Sequence, residues 1–239
     1  MKLDCIVIAA HPDDAEISVG GTLLKLAQAG KKIGVVDITR GELGTRGTAA
    51  DRALECSKAS ELLGLSVRHN LDAGDGRVSV TPALREELAG LIREHAPGLI
   101  LCHHTDDPHP DHAASAQLAR EAWYLAGLGK LAEDAGGAPA HRPERLYEFM
   151  SHTPFDPTFV VDIEPVWEQK LELIRAYASQ LAPSGDKDSG EHFLYGADIL
   201  QRMETKARFY GERAGLRFGE PDTGNLRIAE HDRRHRGQV

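Results

Sequence analysis

The chain has 239 residues, 41% hydrophobic and 27% charged, the balance of an ordinary globular protein. A formal net charge of −9 excludes general binding to a phosphate backbone, which needs a basic face. Three cysteines without a CxxC pair point to a reducing compartment rather than a disulfide scaffold. The N-terminal apolar run is too short to span a bilayer and lacks the basic start of a signal peptide, so a cytoplasmic protein is expected. One domain is expected over 1–228, followed by a disordered polar tail at 229–239.

Residues 3–10, "LDCIVIAA", form a nearly continuous apolar run, as a strand buried on both faces requires. Within "AEISVGGTLLKLAQAG", Ile17, Leu23, Leu24, Leu26 and Ala27 recur at helical spacing up to Gly30. A second strand is predicted at 31–39. A second helix follows at 48–64, with Thr48 as a cap and a glycine stop. "VRHNLD" is a short third strand. The next helix starts at Thr81 and Pro82, and Pro97 lies beyond its end. Residues 99–104 are a fourth strand, and a helix begins at Asp111, itself a candidate N-cap. The Gly/Ala/Pro stretch 131–146 reads as a mobile loop. Two more strands are predicted at 146–152 and 159–163, then helices at 166–180 and 197–215. The alternation predicts an α/β fold: a Rossmann-like, mostly parallel sheet with helices on both faces.

Two clusters carry chemistry. "AHPDD" follows the first strand and "CHHTDDPHPDH" the fourth, each at a carboxyl end, where doubly wound sheets place ligands. The i, i+3 spacing lets His11 and Asp14 converge on one point, and His109 and His112 repeat it. Either aspartate of the first cluster would serve as a helix cap, but capping leaves the histidine and the second aspartate unexplained. Gly20 and Gly21 lack the GxGxxG context of a dinucleotide loop. Imidazole and carboxylate without thiolate suit Zn²⁺, with Fe²⁺ or Mn²⁺ as substitutes, and three protein ligands leave a position open for catalysis.

The pair "AHPDD" and "HPDH", with "TRGELGTRGTAADRALE" between them, resembles the LmbE/PIG-L superfamily of metal-dependent N-acetylglucosaminide deacetylases, and within it the bacillithiol-pathway group. The resemblance implies His11, Asp14 and His112 as metal ligands, Asp13 as general base and His109 as the oxyanion-stabilising acid. It implies Arg52 as a substrate-binding residue, and Arg46, Arg77 and Tyr195 are further candidates. The substrate it implies is a small N-acetylated sugar, best matched by N-acetylglucosaminyl-malate, whose carboxylates would suit a guanidinium. Neither nucleic acid nor membrane is expected as a partner, and a homo-oligomer, possibly a hexamer in the resembling group, is. The alternatives are a deacetylase of another N-acetylated sugar or amide, and a metal- or nucleotide-binding module without turnover. Asp13, which metal binding alone does not need, speaks against the latter.

Overall fold

Seven strands form one sheet in the order β3-β2-β1-β4-β5-β7-β6 in the computed structural model, which describes residues 1–44, 48–181 and 199–224. The apolar runs become β1 (Cys5–Ala9), β2 (Ile33–Asp37) and β4 (Leu99–His103), with β3 (Val67–Asn70) at one edge. β5 (Arg145–Phe149) extends the parallel set of five. Beyond it the direction changes: β7 (Gly219–Gly224) runs antiparallel to both β5 and β6 (Phe159–Asp162). The mostly parallel sheet is as expected.

Strand alternation sends the side chains of β1 into two separate cores. Cys5, Val7 and Ala9 pack with Val19 and Leu23 of α1 (Asp14–Gln28) and with Trp167 and Leu173 of α6 (Trp167–Ala176). Ile6 and Ile8 face Leu88 and Ile92 of α3 (Pro82–His95) and Leu118 and Ala122 of α4 (Pro110–Ala126). Helices thus cover both faces of the sheet. Cys5 and Cys102 are buried free thiols within it.

Helix α2 (Ala49–Leu63) starts with a reciprocal capping box between Thr48 and Asp51 and stops at Gly64 in the left-handed region, as its sequence predicts. The predicted helix at 166–180 is broken: α6 ends at Ala176, and a single turn, α7 (Ala178–Leu181), follows. The stretch at 131–146 is not wholly a loop, because α5 (Gly129–Ala135) occupies its start. Gly21 serves packing rather than a dinucleotide: an added Cβ would stand 2.6 Å from Ile163 Cγ2, and its amide donates to Glu220 Oε1 at 2.8 Å. The tail at 229–239 lies outside the described residues. No helix among the described residues is long and apolar enough to cross a membrane.

Candidate active site

The order 2-1-4 puts the reversal of the sheet between β1 and β4, and both histidine-aspartate clusters leave the sheet there, at carboxyl ends. After β1 the chain turns tightly: Asp14 Oδ2 accepts the backbone N–H of His11 at 2.8 Å. Asp13 holds the N-cap position of α1 without making a capping hydrogen bond, so capping explains neither aspartate. Its backbone sits at φ 128°, ψ −27°, a conformation costly for a residue with a Cβ and characteristic of functional sites. Arg52, reaching over from α2, pins that turn: Nη1 donates to Pro12 O at 2.9 Å and to Asp13 Oδ2 at 3.3 Å.

After β4, His109 rather than Asp111 caps α4, its Nδ1 accepting the Asp111 amide at 3.2 Å. That bond fixes the proton of a neutral His109 on Nε2. Burial and the neighbouring histidines His112 and His11 push His109 below the usual imidazole range, which favours the neutral ring. Asp111 turns instead to His11, 3.3 Å from its Nε2, and accepts the amides of Gly76 and Val78.

His11, Asp14 and His112 offer ligand atoms that all lie within 4.8 Å of one another. His11 Nδ1 stands 3.2 Å from Asp14 Oδ2, and His112 Nε2 3.5 Å from Asp14 Oδ1. Ligand atoms on a tetrahedral ion with bonds near 2.0 Å stand about 3.3 Å apart, so this donor set fits a metal ion. The remote nitrogens are backed as metal-binding imidazoles require: His11 Nε2 by Asp111 and by Asp75 at 3.2 Å, His112 Nδ1 by Asp107 at 3.2 Å. Behind Asp14 sits His103, wholly buried, its Nε2 accepting the Ala10 amide at 3.0 Å and 3.2 Å from Asp14 Oδ2. Its Nδ1 lies 2.9 Å from Ser151 Oγ, and its ring stacks on His112 at 4.0 Å. Burial and the charge of His112 push His103 down to about 4, so it is held neutral.

The adjacent aspartates are driven apart. Burial, opposed by Arg52 and reinforced by Asp14, pushes Asp13 up to about 7. Asp14 is also buried, but His112, His103 and His11 hold it well below the usual carboxylate range. Paired carboxylates with opposite shifts are the signature of divided roles, one a permanent anion and one able to take up a proton. Burial lowers His11, yet its bonds to Asp111, Asp14 and Asp75 carry it well above the usual range.

A cavity of about 320 Å³ opens over this cluster, bounded by Asp13, Asp14, Arg52, His109, His112 and the backbone near Gly44. Five of the sequence candidates, His11, Asp13, Asp14, His109 and His112, therefore meet at one point, and Arg52 forms the wall behind Asp13. A Cβ at Gly44 would lie 2.9 Å from Arg52 Nη2, so a side chain there would press on the guanidinium. Arg77 is exposed and lines no part of this cavity. Arg46 and Tyr195 lie outside the described residues. Sequence reading gave no role to Asp107, which stands within the second cluster five residues before His112, and missed Asp75, which only the fold brings to the site. It also missed His152, whose Nδ1 is 2.9 Å from Asp107 Oδ1.

Residues 6–123 match the PIG-L family, GlcNAc-PI de-N-acetylase. The chain is 31% identical over 230 residues to diacetylchitobiose deacetylase of Thermococcus kodakarensis, covering 90% of this chain and 80% of that protein. It is 30% identical over 194 residues to 4-oxalmesaconate hydratase of Pseudomonas putida, covering 73% of each. Among solved structures, the conserved protein TT1542 of Thermus thermophilus superposes with a TM-score of 0.82 at 34% identity, over 94% of this chain and 95% of that one. A fold, a site and a family pattern that coincide from β1 through α4 leave one conclusion: the chain belongs to the PIG-L family.

Proposed function

We propose that the protein is a zinc-dependent amidohydrolase that removes the acetyl group from an N-acetylglucosaminide. The observation that carries this reading is Asp13: half-buried beside the three converging ligands, outside the ligand set, lining the cavity and held by Arg52. A site that only stored a metal would have no use for it. The similarity to a diacetylchitobiose deacetylase supports the choice of bond.

The residues present would hold the ion through His11, Asp14 and His112. A bound Zn²⁺ supplies Lewis acidity, lowering the pKa of water from about 16 to about 7 and polarising an amide carbonyl. Asp13, fixed by Arg52, takes the proton from the attacking water at its carboxylate. His109 presents Nε2–H to the cavity and hydrogen-bonds the developing oxyanion, while Asp13 passes the proton it has taken from the water to the departing amine. The products are acetate and a free amino sugar.

The aglycone is a narrower matter. Malate, in a bacillithiol-type pathway, rests on Arg52, whose terminal nitrogens are engaged by Pro12 O, Asp13 and, at 2.9 Å, Gln180 Oε1. A malate carboxylate would have to displace Gln180. The same engagement disfavours the second reading, the reaction of the hydratase relative on an acid, because Arg52 is the one arginine or lysine among the described residues lining the cavity. The free thiols of Cys5, Cys56 and Cys102 fit a reducing compartment, and we place the reaction in the cytoplasm on that ground.

The test is incubation of the zinc-loaded protein with methyl N-acetylglucosaminide, N-acetylglucosaminyl-malate and 4-oxalmesaconate. Equimolar acetate and free amine from a glycoside is the expected result. Consumption of 4-oxalmesaconate without amine release from either sugar contradicts the proposal.

A further inference from the structure

A second cavity, of about 780 Å³, adjoins the first. The two share Asp14, Ile17 and His152 as walls, so they meet beside a metal ligand. Its far wall is α8 (Ile199–Arg213) and its near wall is α1 with the turn after β5. The deacetylation chemistry itself makes no use of it.

Both cavities have a largely apolar lining and differ in the polar groups left to a ligand. Over the metal ligands, imidazoles and carboxylates stand among Ile17, Leu43, Ile174 and Leu181. In the second cavity most polar atoms of the wall are already spent inside the protein. Lys206 Nζ donates to the carbonyls of Met150 and Ser151. Ser151 Oγ binds His103 at 2.9 Å and lies 3.5 Å from Ser18 Oγ. Thr205 Oγ1 donates to Gln201 O at 2.8 Å, and Tyr210 OH to Phe155 O at 3.2 Å. The larger part of what remains facing the space is apolar: Ile17, Met150, Pro154, Met203 and Phe209. Phe209 is 55% exposed, far more than a phenyl ring needs for folding alone. A ligand in this cavity is held by burial of apolar area, not by hydrogen bonds. A malate or other carboxylate finds little there, since Lys206 is committed to the backbone and pushed down to about 7 by burial. Arg202 also borders the space, but it is exposed, and solvent screening makes it a weak anchor for an anion.

We infer that this cavity is the aglycone subsite and that the preferred substrate is amphiphilic: an N-acetylated sugar over the metal ligands, carrying an alkyl or aryl aglycone against Met203 and Phe209. The inference rests on the deacetylase reading for the sugar end and adds the class of the other end. The walls shared at Asp14, Ile17 and His152 bring the two spaces within reach of one molecule.

Two measurements separate the claims: dissociation constants by calorimetry and acetate release, both for methyl and octyl N-acetylglucosaminide on the zinc-loaded full chain. N-acetylglucosaminyl-malate serves as the anionic comparison. Octyl should bind at least tenfold tighter than methyl, the burial of a few methylenes sufficing for that. The kcat/KM ratio should follow, and malate should gain nothing over methyl. Phe209→Ser and Met203→Ser should each reduce the octyl-to-methyl ratio of dissociation constants at least threefold. Because Phe209 is largely exposed, its substitution leaves the core intact. Equal binding of octyl and methyl, a ratio indifferent to both substitutions, or preference for malate overturns the inference. Acetate release with no octyl preference leaves the deacetylase reading standing and removes the subsite. Tight, Phe209-dependent octyl binding without acetate release keeps the subsite and removes the deacetylase reading.

Discussion

Helix α1 presents carboxylates to two buried places that differ in kind. Glu16, fully buried, accepts from Arg68 Nη1 at 2.6 Å and from Tyr177 OH at 3.1 Å, while Arg68 grips Asp37 at 2.7 and 3.0 Å. One turn earlier, Asp13 and Asp14 sit among His11, His103, His109 and His112. In the first cluster a permanently charged guanidinium sits between the two acids and joins them directly. Burial raises Asp37 even so, because two carboxylates share one arginine. In the second, His11, His109 and His112 line a cavity of about 320 Å³ together with Asp13 and Asp14, and no guanidinium stands between the two acids. Buried charge is therefore no mark of function by itself. Donor atoms converging on open space are.

The comparison breaks most visibly at Asp14. Asp14→Ala should abolish tight metal binding and reduce turnover on the order of 10³-fold or more, since several kcal/mol of charge stabilisation go with the ion. Metal analysis after dialysis, alongside rates, checks this; full occupancy in the variant would dissolve the contrast. Arg68→Leu should do the opposite. It strands two buried carboxylates, so denaturant unfolding should show a loss of about 3–5 kcal/mol, while the folded protein retains its metal. A kcat/KM that collapses at unchanged stability would move Arg68 into the chemistry. The smallest effect sharpens the picture. Ser151→Ala removes the partner that orients His103 behind Asp14, and should weaken metal affinity about 10–100-fold, read by chelator competition, with the fold intact.

The parallel half of the sheet was legible because β1, β2 and β4 are unbroken apolar runs, each flanked by helices with their caps in place. The His-Pro-Asp-Asp and His-Pro-Asp-His segments were legible because i, i+3 spacing already implies convergence. β7 was not. "GEPDTG" has no apolar alternation, and its strand character comes from pairing between β5 and β6, with Glu220 and Asp222 buried inward. Glu220 is accounted for only when Lys170 and the Gly21 and Thr22 amides arrive from distant elements. The break at Tyr177 was hidden for a similar reason: its hydroxyl is drawn to Glu16, a contact no local periodicity encodes. Asp75 was equally invisible, a loop acid whose partner His11 is set by topology, and so was the pairing of Asp107 with His152, 45 residues away. Asp111 was read as a cap because caps are local, whereas its actual partner, His11, is 100 residues away.

The central claim is that Asp13 handles the proton and is not a ligand. Its most direct test is acetate release from methyl N-acetylglucosaminide by zinc-loaded Asp13→Asn, with zinc content measured on the same sample. Asparagine tolerates a positive φ better than most residues, so the turn should persist. Zinc content equal to that of the unsubstituted protein, with kcat lower by roughly 10²–10⁴-fold, is the result expected of a lost general base. Full activity at full zinc content, or loss of zinc together with activity, would contradict the assignment.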